Sequence, residues 1–178
     1  MNLLAISINH RTAPVELREA LFLKEDEARS FIKLARENIL KEGLILSTCN
    51  RTEIFGVPEG KELNHRTIQE LLLRFKSAEN ITEEHFQKYF SRDAVKHLFS
   101  VTTGIDSLLV GDNQVFKQVK DSFQIAEETS FAGYFMHRLF DSAIRVGKRA
   151  ISETKISDGA VTISYAAVQL TEKIFSNL

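Results

Sequence analysis

Apolar residues change their spacing several times along this chain, and each change marks an element. Residues 3–8 (LLAISI) form a short unbroken apolar run bounded by Asn9 and Pro14, the pattern of a buried strand. Over residues 25–41 the spacing turns helical, with Ala28, Phe31, Ile32, Ala35 and Ile39 on one face and the charges elsewhere on the wheel. Gly43 is expected to end that helix. Residues 44–48 and 52–57 read as two strands flanking Cys49-Asn50-Arg51. A second amphipathic helix follows Asn64, a good N-cap, with Ile68, Leu71, Leu72 and Phe75 on one face. Residues 87–91 read as a fourth strand. Strand–helix–strand–strand–helix–strand is the order of a ferredoxin-like lobe.

Beyond residue 91 the pattern is helical, over about 93–103, 113–128 and 131–155. A last apolar segment, 160–175, follows Ser157-Asp158-Gly159. The expected fold class is therefore α+β, a ferredoxin-like small sheet with helices followed by a helical part. That fold serves many functions, so the topology alone selects none.

Composition narrows the class. Hydrophobic residues make up 43% of the 178, enough for a core, and the formal charge of −1 argues against a globally basic nucleic-acid binder. One cysteine cannot form an internal disulfide, no apolar run approaches the roughly 18 residues of a membrane helix, and the N-terminus lacks signal-peptide features. These point to a cytoplasmic protein. Cys49 and five scattered histidines show no paired spacing for a zinc site, so no metal is expected.

The chemistry concentrates around Cys49. Lone cysteines are usually inert and buried. Here the residue falls at a strand–strand junction, where a side chain can reach a cleft, with Arg51 two residues on to favour thiolate. Thr48, Asn50 and Arg51 add donors that could hold a carboxylate and polarise a carbonyl. Local spacing alone leaves a catalytic and a structural cysteine evenly matched.

The segment Ser47-Thr48-Cys49-Asn50-Arg51-Thr52-Glu53 resembles the STCNRTE signature of the glutamyl-tRNA reductase family. Three further blocks resemble the same family in the same order: Ile8-Asn9-His10-Arg11-Thr12-Ala13-Pro14, residues 97–118 and residues 138–167. The resemblance spans almost the whole chain. It implies an oxidoreductase of porphyrin (tetrapyrrole) biosynthesis that takes glutamyl-tRNA as substrate. Cys49 would attack the ester to form a thioester, and NADPH would reduce that to glutamate-1-semialdehyde. By the same resemblance His97 is an active-site residue, and Thr48, Asn50, Arg51, Ser107, Asp112, Asn113, Gln114 and Gln118 are substrate-binding. An arginine fork suits carboxylate geometry. The stripe Val95, Leu98 and Phe99 leaves His97 pointing away from the apolar face of its helix. Gln114 and Gln118, four apart, share a helix face.

The family's usual glycine–glutamate–proline–glutamine–isoleucine reads Gly111-Asp112-Asn113-Gln114-Val115 here, and a tyrosine common after the signature is Phe55. No glycines stand at the first spacing of the dinucleotide fingerprint G-x-G-x-x-G, so no cofactor is expected on this chain. The resemblance implies residues 1–156 as the N-terminal catalytic domain and 157–178 as the start of a connection to an absent NADPH-binding domain. A homodimer through a C-terminal domain is implied likewise. Arg138, Arg145 and Arg149 share a narrow arc that could meet tRNA phosphates or be a solvated face. The rival reading is a non-catalytic tRNA- or regulator-binding module with a structural cysteine.

Overall fold

The computed structural model describes residues 2–60, 64–78, 80–156 and 163–175. It contains β1 (Leu4–Asn9), α1 (Val15–Leu21), α2 (Glu25–Asn38), β2 (Leu40–Thr48), β3 (Arg51–Pro58), α3 (His65–Lys76), a 3-10 turn (Glu83–His85), β4 (Gln87–Phe90), α4 (Arg92–Thr102), α5 (Gln114–Glu128), α6 (Tyr134–Glu153) and α7 (Ile163–Ile174). The four strands form one antiparallel sheet in the order β2-β3-β1-β4, the ferredoxin-like arrangement inside an α+β fold.

The sheet's two faces differ in chemistry. Registers Ile6↔Ile54↔Ile45 and Ile8↔Thr52↔Ser47 put one alternating set on the face toward α1–α3. There Ile6, Ile54, Phe31, Ile32, Ile68 and Leu72 are buried together. The other set, Asn9↔Arg51↔Thr48, Ser7↔Glu53↔Leu46 and Ala5↔Phe55↔Leu44, faces the helical part. Leu46 packs with Val101 of α4 and Val115 and Val119 of α5. Beside it, on strands β1 and β3, the buried residues are polar.

Three local outcomes depart from the pattern-based reading. Helix α1, between Pro14 and Phe22, is a seven-residue element that the periodicity did not mark. Helix α2 ends at Asn38, and Gly43 lies inside β2 instead of stopping the helix. Its N–H donates to the Phe131 carbonyl at 2.9 Å, and a Cβ there would lie 2.5 Å from both the Phe131 ring and the Phe55 carbonyl oxygen. Gly43 is thus required by close approach of ring and backbone, not by helix termination. Finally, α4 buries Ala94, His97, Leu98 and Val101, so His97 stands on the buried face of its helix, contrary to the wheel built on Val95, Leu98 and Phe99.

The helical part is anchored to the sheet by a carboxylate. Buried Glu42 of β2 accepts from the Met136 N–H at 2.8 Å, in the first turn of α6, where a negative group meets unpaired N–H groups. Asn64 caps α3 by accepting from Thr67 N–H at 3.3 Å. No helix among the described residues is long and apolar enough to cross a membrane. The described side chains of α7, residues 167–174, are exposed. Part of the connection expected over 157–178 lies outside the described residues.

Candidate active site

Cys49 and Asn50 form the two-residue turn between β2 and β3, with Thr48 and Arg51 as the closing pair. A turn this tight projects its residues beyond the sheet, and the Cys49 thiol is exposed. Buried Thr48 sets the turn: its Oγ1 accepts from the Asn50 and Arg51 N–H groups, each at 3.2 Å. The Asn50 carbonyl accepts from His10 N–H at 3.1 Å, tying the turn to the loop after β1. Cys49 lines a cavity of about 320 Å³ with Thr48 and with Arg18, Glu19 and Phe22. That volume is at the small end of small-ligand pockets, roughly 300–1,000 Å³.

Arg51 does not line that cavity; it is buried in the polar face. It is 2% exposed, and its Nη1 donates to Glu53 Oε1 at 2.9 Å and to Asp106 Oδ2 at 3.0 Å; its Nη2 donates to the Asp106 carbonyl. Arg11 pairs with Asp106 from outside. Glu53, fully buried, accepts from Ser7 Oγ at 2.7 Å as well as from Arg51, and pairs with His97 Nε2 at 3.0 Å. Burial pushes the Glu53 carboxyl up, but His97, then Arg51 and Ser7, hold it down at about 2. The His97 ring stacks on Tyr89 with centroids 4.0 Å apart and lies 6.0 Å from Phe55. Phe55 thus packs at the histidine without a hydroxyl. Burial, then Glu53 and Asp106, push the Tyr89 phenol up to about 12.

The loop after α4 delivers Asp106 and Ser107. Gly104 and Gly111 have φ of +75° and +88°, and the Gly104 carbonyl accepts from both Ser107 N–H (3.2 Å) and Gly111 N–H (3.0 Å). The loop is closed on itself, and Asp106 and Ser107 are buried by it. The Ser107 hydroxyl is buried with no partner among the described residues. Asp112 Oδ1 accepts from Gln114 N–H at 2.9 Å, so the shortened acid sits at the start of α5. Asn113 and Gln114 are exposed there, whereas half-buried Gln118 lines a cavity of about 220 Å³ with Ser47 and Phe22. Phe22 is a wall of both that cavity and the Cys49 cavity.

The expected site residues therefore fall into three places. Cys49 and Thr48 share one cavity, with Gln118 across Phe22 from them. Arg51 joins the buried network with His97, and His97 also lines a separate cavity of about 360 Å³ with Tyr89, Lys96 and Asp106. Asp112, Asn113 and Gln114 stand at the α5 N-terminus. Glu53, His97 and Asp106 bring one donor atom each within 4.8 Å of one another, the one such buried triad among the described residues. The Arg51 guanidinium already bridges both carboxylates, so the charge a metal would supply is present.

Arg18, Glu53 and Asp106 were not assigned roles from the sequence. Glu53 carried a signal: a charge inside the apolar run of β3, two residues from Arg51, on one strand face. Arg18 and Asp106 carried none, because both depend on elements the periodicity left blank.

The comparisons with known proteins agree on one family. The sequence model described as "Glutamyl-tRNAGlu reductase, N-terminal domain" matches residues 6–154. The chain is 42% identical over 180 residues to glutamyl-tRNA reductase of Chlorobium phaeobacteroides strain BS1 and 43% identical to that of Pelodictyon phaeoclathratiforme, covering all of this chain and 42% of each relative. Glutamyl-tRNA reductase from Methanopyrus kandleri superposes with a TM-score of 0.74 at 30% identity, covering 96% of this chain and 39% of that one. The chain spans about two fifths of the length of these relatives. It belongs to the glutamyl-tRNA reductase family and carries that family's N-terminal domain.

Proposed function

We propose that this chain captures the glutamyl group of glutamyl-tRNA on Cys49. The thiol loses its proton, the thiolate attacks the ester carbonyl, the bond to the terminal ribose oxygen breaks, and that oxygen leaves with a proton as free tRNA. The observation that carries the reading is an exposed thiol at the tip of a pinned two-residue turn, inside a cavity, in a chain of this family. A thioester accepts hydride more readily than a carboxylate, so capture divides a difficult reduction into two steps.

Thr48 shapes the turn and Asn50 stands beside the thiol; Gln118 approaches from the adjoining cavity. Arg51 and His97 act from within the buried network, where both meet Glu53. His97 also lines its own cavity with Tyr89, and we assign it an active-site role on the family resemblance. The Ser107 hydroxyl and residues Asp112, Asn113 and Gln114 complete the proposed substrate contacts. NADPH bound by the full-length enzyme would supply hydride for reduction of the thioester to glutamate-1-semialdehyde, the entry to tetrapyrrole (porphyrin) synthesis. The chain has no G-x-G spacing to cradle it, so the cofactor belongs to a further domain reached through residues 157–178. The reading places the enzyme in the cytoplasm, with a homodimer formed by parts beyond residues 1–156. The exposed Arg138 and Arg145 of α6 are candidates for tRNA phosphates; Arg149 is already paired to Glu153 at 2.9 Å.

The test mixes this chain with tRNA charged with radiolabelled glutamate, without NADPH, beside Cys49→Ser. Label on the protein or loss of charge from the tRNA, absent in the serine variant, is the expected result. Identical behaviour of the two proteins would favour the binding module with a structural cysteine.

A further inference from the structure

Two hydroxyls of the Ser47–Glu53 signature take no part in the capture chemistry, and both bond to the segment that ends α1. Ser47 and Thr52 are opposed across the β2–β3 hairpin, next to the Thr48↔Arg51 pair that closes the turn. Their hydroxyl oxygens lie 3.0 Å apart. The Leu23 N–H donates to Ser47 Oγ at 2.9 Å, and Thr52 Oγ1 donates to the Leu21 carbonyl at 3.2 Å. A hydroxyl has one proton to give, and a carbonyl can only accept. The direction of the chain is therefore forced: Leu23 N–H to Ser47, Ser47 to Thr52, Thr52 to Leu21. Between the two leucines stands Phe22, whose own carbonyl accepts from Lys76 Nζ of α3 at 2.9 Å. Leu21 and Leu23 are buried in the core, while Phe22, with extended backbone (φ −61°, ψ 129°), lines both the Cys49 cavity and the Gln118 cavity.

We infer that Ser47, Thr52 and Lys76 are positioning residues for the capture step, fixing Phe22 as the wall beside the Cys49 thiol. This role rests on the capture of glutamyl-tRNA proposed for Cys49. One hairpin carries the thiol at its tip and, through the hydroxyl pair behind the turn, holds the aromatic wall of the same cavity. The spacing of nucleophile and wall is thus set by directional hydrogen bonds to the hairpin itself, and not by packing between separate helices alone. Thr52 is 2% exposed and lines neither cavity, so it reaches the capture step only through what it holds. The plainer role for these bonds is to satisfy backbone groups at the end of a short helix. Losing that role costs stability and leaves the chemistry of the thiol as it was. Losing a positioning role costs rate, because a misplacement of about 1 Å near a reacting centre can slow it a hundredfold.

The test uses Thr52→Val, which removes the hydroxyl at nearly constant volume, beside Thr52→Ser, which keeps it. Circular dichroism and thermal unfolding establish that each variant is folded at the assay temperature. Transfer of labelled glutamate from tRNA to Cys49 is expected to fall about tenfold or more in Thr52→Val and to stay within about threefold of the unmodified chain in Thr52→Ser. Phe22→Ala should slow transfer comparably, and adding Thr52→Val to it should cost little more, because the wall being held is gone. A readout without tRNA is the rate of Cys49 alkylation by N-ethylmaleimide relative to the smaller iodoacetamide. That ratio should rise in Thr52→Val and in Phe22→Ala but not in Thr52→Ser. Ser47→Ala breaks the same chain from its other end and should raise the ratio too, so the test stands even where Thr52→Val does not fold. An unchanged alkylation ratio in the folded variants would overturn the inference and leave the hydroxyl pair a structural cap. Transfer losses of Thr52→Val and Phe22→Ala that add in full would overturn it as well. The Cys49→Ser control separates the two readings: label that persists there contradicts the nucleophile, whereas label lost there with the ratio unchanged in Thr52→Val contradicts only the positioning role.

Discussion

The two faces of one sheet are built by opposite rules. Toward α1–α3, β1 and β3 present Ile6, Ile8 and Ile54, and burial of apolar area is the stabilising term. Toward α4, the same strands present Ser7, Asn9, Arg51 and Glu53, and an ion-pair network fills the space. Two residues' difference in position, from Glu53 to Phe55, returns that second face to apolar packing. Buried charges seldom stabilise a fold better than hydrophobes of the same volume. Their presence on one face only, at the end of the hairpin that carries Cys49, marks the face where positioning matters more than stability.

The largest effect should come from the apolar face. Phe31→Ala, at a fully buried ring set edge-on against Phe75, is expected to cost about 3–5 kcal/mol in denaturant unfolding, about equally at pH 7 and pH 4. The polar face should answer differently to pH. Glu53 titrates near 2 when folded, below its ordinary 4.5, so its contribution is present above about 4.5 and is lost as pH falls toward 2. Glu53→Gln is expected to cost about 3 kcal/mol at pH 7 and to flatten the loss of stability between pH 4.5 and 2. An unchanged acid slope would show that the network is not what couples this face to protons.

Gly43→Ala tests the seam between sheet and helices. A methyl there meets the Phe55 carbonyl, which no rotamer change can move, and about 1–3 kcal/mol of destabilisation is expected in thermal unfolding. The smallest change in stability should be Cys49→Ser, within about 0.5 kcal/mol, because the thiol is exposed. A larger loss would return Cys49 to a structural role.

How much of this was legible beforehand follows from the same contrast. The apolar face wrote itself into the sequence as period: strands β1–β4, helices α2–α6 and the Asn64 cap lie close to where the pattern put them. The polar face did not, because its partners come from β1 and the turn after it, β3, α4 and the loop after that helix, up to 95 residues apart. Helical wheels misdirected His97 for a related reason. Its helix buries an imidazole against Glu53 and Tyr89, and a wheel scored on hydrophobicity assigns such a residue to solvent. Gly43 misled because a glycine needed for close packing is spelled the same as one that ends a helix. Cys49 stood out by its signature; that Arg18, not Arg51, shares its cavity required the fold.

The most direct test is to map the adduct itself. The chain is mixed with glutamyl-tRNA, quenched in acid, digested and examined by mass spectrometry, with neutral hydroxylamine used to release thioesters. A hydroxylamine-labile glutamyl group on the peptide containing Cys49, absent from Cys49→Ser, is the predicted result. A glutamyl group on any other residue, or discharge of the tRNA undiminished in Cys49→Ser, would contradict the assignment of Cys49 as the nucleophile.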